Sequence, residues 1–388
     1  MLRRITDKRI LWAMILLYIV VFGVIVSLRH YNFQTQAWDL AAFDQSFWNA
    51  SQGRGLVNNL EQVQNHLGLH FSPGLFLLVP GYVVFPSPYY LLIIQTIALA
   101  LGAWPLFLLA HRSLCSPAVA LAKAGEGGLA KRWPLLIAAA YLLYPSLHWA
   151  NLYDFHEITF FVPLMLAALY FLAEKKWGWM LVFLVLSASL KEDAILAALF
   201  VGVYLLIKKQ WKIGLPVILL SLVYFILVVK VFMPALGGGV LRLDRYANLG
   251  ATPTEVVKNV ITRPALFAKT IFTGPKLLYL LWLFLPIGFL SWFSWPSLVL
   301  LLPGLPENLL TNYQFQFSGL YHYDSILIPA IFVGAVFGLK KLLTRWPSRE
   351  KAIQWGLISL VAIGFILRSP IGPTSFPVKY FTSNPQWQ

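Results

Sequence analysis

The chain has little charge, almost no cysteine and few acids. Only 12% of its 388 residues are charged, whereas soluble domains carry about 25%. Its single cysteine, Cys115, cannot form an internal disulfide and has no second thiolate with which to bind a metal. Acidic residues number 15 against 30 Lys and Arg. The alternating short segments of a membrane β-barrel are missing, as are repeats and low-complexity tracts, so a soluble domain, a disulfide scaffold and a repeat protein are excluded.

Apolar residues make up 59% of the chain, and the mean hydropathy is +0.71. They form runs of roughly 14–24 residues, the length that crosses a hydrocarbon layer about 30 Å thick. We therefore predict an all-α polytopic membrane protein with about 10–12 membrane segments in one integral domain, residues 1–388. The run 10–28 is longer than a signal peptide's apolar region, which indicates a retained first helix. The net charge of +15 is explained by cytoplasmic basic loops and anionic lipids, so we predict no nucleic-acid partner.

The distribution of Lys and Arg predicts the orientation. With the N-terminus in the cytoplasm of a cell-membrane protein, the loop from Arg112 through Lys123 and Lys131 to Arg132 is cytoplasmic. Residues 29–70 and 236–275 become two large extracytoplasmic loops, and a last helix leaves a tail of about twenty residues outside. The run 71–85 is short and contains two prolines, which favours a re-entrant or interfacial segment.

Most acids and nearly all histidines fall on the extracytoplasmic side of this path. In the first loop, aromatic residues beside polar ones predict a helix lying in the membrane interface. Asp39 and Asp44 are five residues apart, about 140° around a helix, so one would face a site while the other supports it. His66 and His70 are four apart, a spacing seen in metal sites but equally suited to interfacial hydrogen bonds.

The densest polar cluster is at residues 154–157. Asp154, His156 and Glu157 offer oxygen and imidazole ligands that suit Mg²⁺ or Mn²⁺, although an ordinary exposed turn is the alternative.

The sequence Lys191-Glu192-Asp193 joins two short apolar runs. Ionisable residues at such a depth pair with one another or face a cavity. We read them either as an ion pair that holds a helical hairpin or as a phosphate contact through Lys191.

The second large loop places basic residues on the side where they are least expected. Arg242, Arg245 and Tyr246 are therefore candidates for binding an anionic ligand such as a lipid phosphate, with non-specific headgroup binding as the alternative. His322, beside a later helix, would complete the pocket or anchor it in the interface.

These motifs together resemble a bacterial and archaeal family of polytopic membrane proteins whose domain has no known function. The resemblance covers roughly residues 10–345 and rests on Trp38-Asp39 through Trp48, on Asn65-His66 through Pro73, and on the clusters at 154–157 and 191–193. It also implies that related chains continue further at the C-terminus.

The family in turn looks like the C superfamily of glycosyltransferases (GT-C), which use polyprenyl-phosphate-linked sugars. That likeness implies a GT-C-like helical arrangement in which Asp39 and the cluster Asp154, His156 and Glu157 match the two acidic positions. The first-loop acids depart from the usual close pair, because four residues separate Asp39 from Asp44.

We therefore expect a glycosyltransferase at the extracytoplasmic face. Asp39, or else Asp44, would be the general base, a divalent cation would assist at Asp154, His156 and Glu157, and the acceptor would be a glycan, a lipid or a protein. Substrate or lipid-phosphate contacts are expected from His66, His70, Lys191, Glu192, Asp193, Arg242, Arg245, Tyr246 and His322. The alternatives are a transporter or flippase, disfavoured by the missing repeat, and a non-enzymatic lipid-binding protein.

Overall fold

The computed structural model describes residues 2–115, 132–239 and 242–376. Lys123 and Lys131 of the predicted cytoplasmic loop, and residues 377–388 of the predicted tail, lie outside these ranges. About 78% of the structure is helical, and the described residues contain no strand, only an isolated bridge between Val57 and Asn65. The prediction of an all-α protein is confirmed.

The α-helices of the described residues are numbered here in chain order. They are α1 Leu2–Tyr31, α2 Ala37–Ser51, α3 His66–Leu69, α4 Val79–Val84, α5 Pro88–Leu101, α6 Ala103–Leu114, α7 Trp133–Leu142, α8 Pro145–Leu152, α9 Phe161–Ala173, α10 Trp177–Ala188, α11 Glu192–Ile207, α12 Trp211–Leu227, α13 Met233–Ala235, α14 Pro253–Thr262, α15 Pro264–Ile271, α16 Gly274–Phe284, α17 Trp295–Leu298, α18 Leu305–Leu310, α19 Ile328–Arg345 and α20 Glu350–Arg368. The 3₁₀ turns are Pro73–Leu78, Glu157–Phe160, Leu243–Tyr246, Leu285–Ile287, Leu290–Phe293, Val299–Leu301, Gln314–Phe317, His322–Ile326 and Pro347–Arg349, and Val228–Phe232 is a π turn.

Four helical stretches of the described residues are long and apolar enough to cross a membrane: Thr6–Tyr31, Pro88–Leu114, Trp211–Ala235 and Pro347–Arg368. Two bent pairs, Trp133–Leu142 with Pro145–Leu152 and Pro264–Ile271 with Gly274–Ile287, raise the number to six. This is fewer than the 10–12 segments that we predicted. Proline at the first turn of many helices divides the apolar runs into pieces shorter than a full crossing.

The predicted re-entrant run illustrates this division. Residues 71–85 form a 3₁₀ turn, Pro73–Leu78, followed by α4, and the two together make an apolar stretch of only 12 residues. Because a full crossing needs about 20 residues, this stretch is too short to span by itself.

Close helix packing depends on small residues at particular contacts. Gly202 of α11 and Gly214 of α12 face each other so closely that a Cβ on either would lie 2.9 Å from the other's carbonyl oxygen. Small residues permit this backbone approach, which membrane helices use for dispersion contacts. The hairpin of α11 and α12 is therefore held at a short interaxial distance, and it carries residues 191–193 at the start of α11.

Candidate functional site

One polar cavity of about 340 Å³ gathers side chains from segments far apart in the sequence. Its volume lies in the range of small-molecule sites, about 300–1,000 Å³. All but three of the predicted site residues line it, and these are Asp39, His70, His156, Glu157, Lys191, Glu192, Asp193, Arg242, Arg245, Tyr246 and His322. The exceptions are Asp44, His66 and Asp154. The two large loops, the 154–157 turn, the start of α11 and the 307–323 region thus meet at one end of the helices.

Helix α2 presents its two aspartates to different surroundings. Asp39 lines the cavity, where its Oδ2 accepts a hydrogen bond from the Tyr153 hydroxyl at 2.9 Å. The Asp44 carboxylate accepts a bond from the Tyr82 hydroxyl at 2.6 Å and lies outside the cavity lining. Burial raises the pKa of Asp44. The five-residue spacing accounts for this divergence, because α2 is continuous and turns about 140° between the two positions.

The 154–157 turn separates the Asp154 carboxylate from the side chains of His156 and Glu157. The Asp154 carboxylate is buried, with Oδ1 3.5 Å from Arg29, and it accepts a hydrogen bond from the backbone N–H of Gln36 at 2.6 Å. His156 and Glu157 instead point to the cavity. Burial raises the pKa of Asp154 to about 6, although Arg29 opposes the rise. Among the described residues no three His, Cys, Asp or Glu side chains form a group that could hold a metal, so the divalent cation stays a prediction.

Gln95, in the middle of α5, holds this turn in place and was missed in the sequence. Its Nε2 donates to the Asp154 carbonyl oxygen at 2.7 Å, and its Oε1 accepts from the His156 amide at 2.8 Å. The turn needs such support because Asp154 has φ 86°, a left-handed conformation that costs a non-glycine residue about 1–3 kcal/mol. A buried glutamine in an apolar helix was the available signal, since it must hydrogen-bond something.

The predicted pair His66 and His70 separates onto two different glutamates. His66 is buried beside Glu61, with Nδ1 3.0 Å from its carboxylate, and His70 Nδ1 lies 3.0 Å from Glu192 Oε1. Burial alone would lower the pKa of His70, but Glu192 raises it above its usual value. The two histidines therefore contact different glutamates, while their rings meet edge to face with centroids 6.1 Å apart.

Two further histidines are stacked in the cavity wall. The rings of His156 and His322 lie 3.7 Å apart and nearly parallel. Burial lowers the pKa of both, and for His322 the neighbouring His156 lowers it further. Each has a buried Nδ1 without a hydrogen-bond partner among the described residues, as does Glu157 Oε2. A polar ligand would supply those partners.

The cations lie together with a carboxyl group that carries a proton. Lys191 Nζ is 3.3 Å from Asp193 Oδ2, and the Arg245 guanidinium lies 4.2 Å from the centre of the Tyr313 ring. Burial, then Asp193, raises the pKa of Glu307 to about 8, against the influence of Lys191 and Arg245. Near pH 7 Glu307 is therefore largely neutral and adds little negative charge beside Lys191 and Arg245, whereas Asp193 is paired with Lys191.

Glu307 was not among the predicted residues. Its signal was the same as that of Lys191: an ionisable residue at the edge of an apolar stretch, here in the sequence Leu305-Pro306-Glu307 of α18.

The comparison with known families agrees with this membrane architecture. A family of predicted membrane proteins, DUF2079, has a sequence model that matches residues 29–387. The chain belongs to the DUF2079 family. No curated protein and no solved structure matches it. Membership supports an integral membrane protein and assigns no reaction to the DUF2079 fold, so the likeness to GT-C enzymes stays a prediction.

Proposed function

We propose that this DUF2079 protein is a glycosyltransferase that uses a polyprenyl-phosphate-linked sugar at the extracytoplasmic face of the cell membrane. The observation that carries the proposal is the composition of the cavity. A proton acceptor, Asp39, lines the same cavity as the cations Lys191 and Arg245. Glycosyl transfer from a lipid phosphate requires both groups, one for the acceptor hydroxyl and one for the departing phosphate.

In the proposed reaction the acceptor hydroxyl oxygen forms a bond to the anomeric carbon of the sugar. The bond between that carbon and the phosphate oxygen breaks, and its electron pair leaves with the polyprenyl phosphate. Asp39 takes the hydroxyl proton, with Tyr153 holding the carboxylate through its 2.9 Å hydrogen bond. Lys191 and Arg245 stabilise the negative charge of the departing phosphate, and Arg242 lines the same cavity.

The apolar part of the lining supports a lipid-linked donor. Phe225 of α12 and Val229 just after that helix line the same cavity as Arg242 and Arg245. The stretch Trp211–Ala235 is only 17% buried over its apolar window, so most of its surface is open to lipid. A polyprenyl chain lying along this helix would bring its phosphate to the cations while its tail stays among the lipids.

No step of the proposed reaction uses the predicted Mg²⁺ or Mn²⁺, because Asp154 faces Arg29 and Gln36 rather than the cavity. The GT-C-like arrangement of the helices is part of the same proposal and rests on the first-loop and 154–157 positions of Asp39 and Glu157.

The test is turnover by the purified protein in lipid. Polyprenyl-phosphate sugars are supplied as a panel with glycan, lipid and peptide acceptors, and release of polyprenyl phosphate is scored by mass spectrometry with Mn²⁺ and with EDTA. We expect release by the wild type and none by Asp39→Ala. Donor binding without release, equal in the two proteins, would overturn the proposal and favour the flippase or the lipid-binding alternative.

A further inference from the structure

A second cavity lies at the other end of the molecule and shares no lining residue with the candidate active site. It has a volume of about 590 Å³ and is lined by Arg112, Lys175, Lys208 and Lys340 together with apolar residues such as Trp177 and Phe337. The helix α11 connects the two cavities, since Glu192 lines the first and Lys208, just past its last residue, lines the second. Sixteen helical residues span about 24 Å at 1.5 Å per residue.

The four cations come from the ends of four helices. Arg112 is in the last turn of α6, Lys175 follows α9, Lys208 follows α11, and Lys340 lies in the second half of α19. No acidic residue lines the cavity in the part of the chain that the structure describes. Glu174 forms an ion pair with Arg112 beside the cavity. The other three cations of the lining are lysines. Like charges that line one cavity repel one another, so the arrangement favours an anion between them.

The lining also includes apolar side chains of α9, α11 and α19. Leu172, Ala173 and Leu205 lie beside the lysines, and Lys208 is 5.5 Å above the centre of the Tyr204 ring. A site that combines Lys and Arg at the rim with apolar helix surface below matches a phospholipid, whose phosphate and acyl chain need both. A soluble phosphate compound would use the rim alone.

We propose that this cavity binds the phosphate headgroup of an anionic phospholipid, in the leaflet opposite the candidate active site. The lysines hold the phosphate oxygens, and the first acyl segment packs on the apolar wall formed by α9, α11 and α19. The inference does not depend on the proposed glycosyltransferase reaction.

The chain offers a matched control, because the residue after each lysine of the cavity is also a lysine. Lys175→Gln, Lys208→Gln and Lys340→Gln together remove three charges from the lining. Lys176→Gln, Lys209→Gln and Lys341→Gln remove the same charges from positions outside it. Each triple contains one left-handed lysine, Lys175 at φ 57° and Lys209 at φ 60°, so the two triples are also matched in backbone conformation.

The experiment counts bound lipids by native mass spectrometry as purified protein is titrated with phosphatidylglycerol or phosphatidylcholine. We expect the wild type and the 176/209/341 variant to prefer phosphatidylglycerol equally. The 175/208/340 variant should lose at least about tenfold in affinity for phosphatidylglycerol, because it lacks three basic residues that attract an anionic headgroup. Thermal melting of both variants checks that they are folded.

Three results would overturn the proposal. An equal loss in both variants would mean that general surface charge attracts the lipid. No loss in either variant would mean that the cavity is not the binding site. Displacement of phosphatidylglycerol by inorganic phosphate at the same concentration would identify a soluble phosphate compound as the ligand instead.

Discussion

The sharpest prediction concerns the two aspartates of α2, which share a helix and a residue type but not an environment. Asp39→Asn replaces the proposed base by an isosteric group that cannot take a proton. A positioned general base contributes about 10²–10⁴-fold to rate, which corresponds to about 2.7–5.4 kcal/mol of barrier at 1.36 kcal/mol per tenfold. We therefore expect polyprenyl phosphate release to fall by that factor.

The stability cost of this change is small. The Asp39 side chain is 29% exposed, and an asparagine oxygen still accepts the hydrogen bond from Tyr153. The expected loss is within about 1 kcal/mol, the net value of a typical hydrogen bond. Binding of the donor should be unchanged, because the cations that hold the phosphate are intact.

Asp44→Asn is the matched control in the same helix. It weakens a hydrogen bond with Tyr82 outside the cavity, so we expect a lower melting temperature. Turnover should stay within about threefold of the wild type, which is about 0.65 kcal/mol in activation free energy at 1.36 kcal/mol per tenfold. Single-turnover release, measured by mass spectrometry at saturating donor, separates the chemical step from binding. If Asp39→Asn turns over like the wild type, or if Asp44→Asn is the inactive variant, the assignment of the base is wrong.

Three other predictions follow from the same geometry. Arg245→Gln should weaken binding of polyprenyl phosphate about 10–150-fold, because a hydrogen bond to a charged group contributes about 1.5–3 kcal/mol; Arg263→Gln, in the same loop but outside the cavity lining, should leave the measured dissociation constant unchanged. The pKa of Glu307 is raised from 4.5 to about 8. Between those pH values the folded state holds a proton that the unfolded state has released, so the stability of the wild type falls as pH rises. The melting temperature of Glu307→Gln should fall less over this pH range, and a pH profile identical to that of the wild type would contradict the assignment. Gly338→Ala places a Cβ 1.8 Å from the Leu290 carbonyl oxygen and should cost at least about 1–3 kcal/mol in unfolding experiments, whereas Gly356→Ala, with open space around it, should be neutral or stabilising.

Several features of the molecule follow from local sequence. Long apolar runs and sparse charge suffice to predict helices in a membrane, because a helix satisfies all its backbone hydrogen bonds within one segment of chain. The interfacial helix of the first loop was predicted from its aromatic residues, and α2 is found at Ala37–Ser51 with Trp38 61% exposed. The divergence of Asp39 and Asp44 follows from helical periodicity alone.

The placement of Asp154, His156 and Glu157 shows where the local sequence pattern stops being informative. Asp154, His156 and Glu157 are adjacent in sequence, but the left-handed conformation of Asp154 turns its carboxylate toward Arg29 and Gln36. Gln95, which fixes that turn, comes from 59 residues away. A pattern of residue types does not encode such a long-range hydrogen bond.

The sequence by itself determined that the chain is helical, apolar and membrane-bound, and that ionisable residues gather in particular loops. Tertiary structure alone decided which of these residues share a cavity and which form hydrogen bonds elsewhere that support the fold. It placed Glu307 in the same cavity lining as the cations and left Asp44 and His66 outside that lining, in contact with Tyr82 and Glu61. The physical reason is that helix propensity and hydropathy act over a few turns of chain, whereas a site is made by packing between segments hundreds of residues apart. Only that packing decides which polar group is left without a partner and faces a ligand.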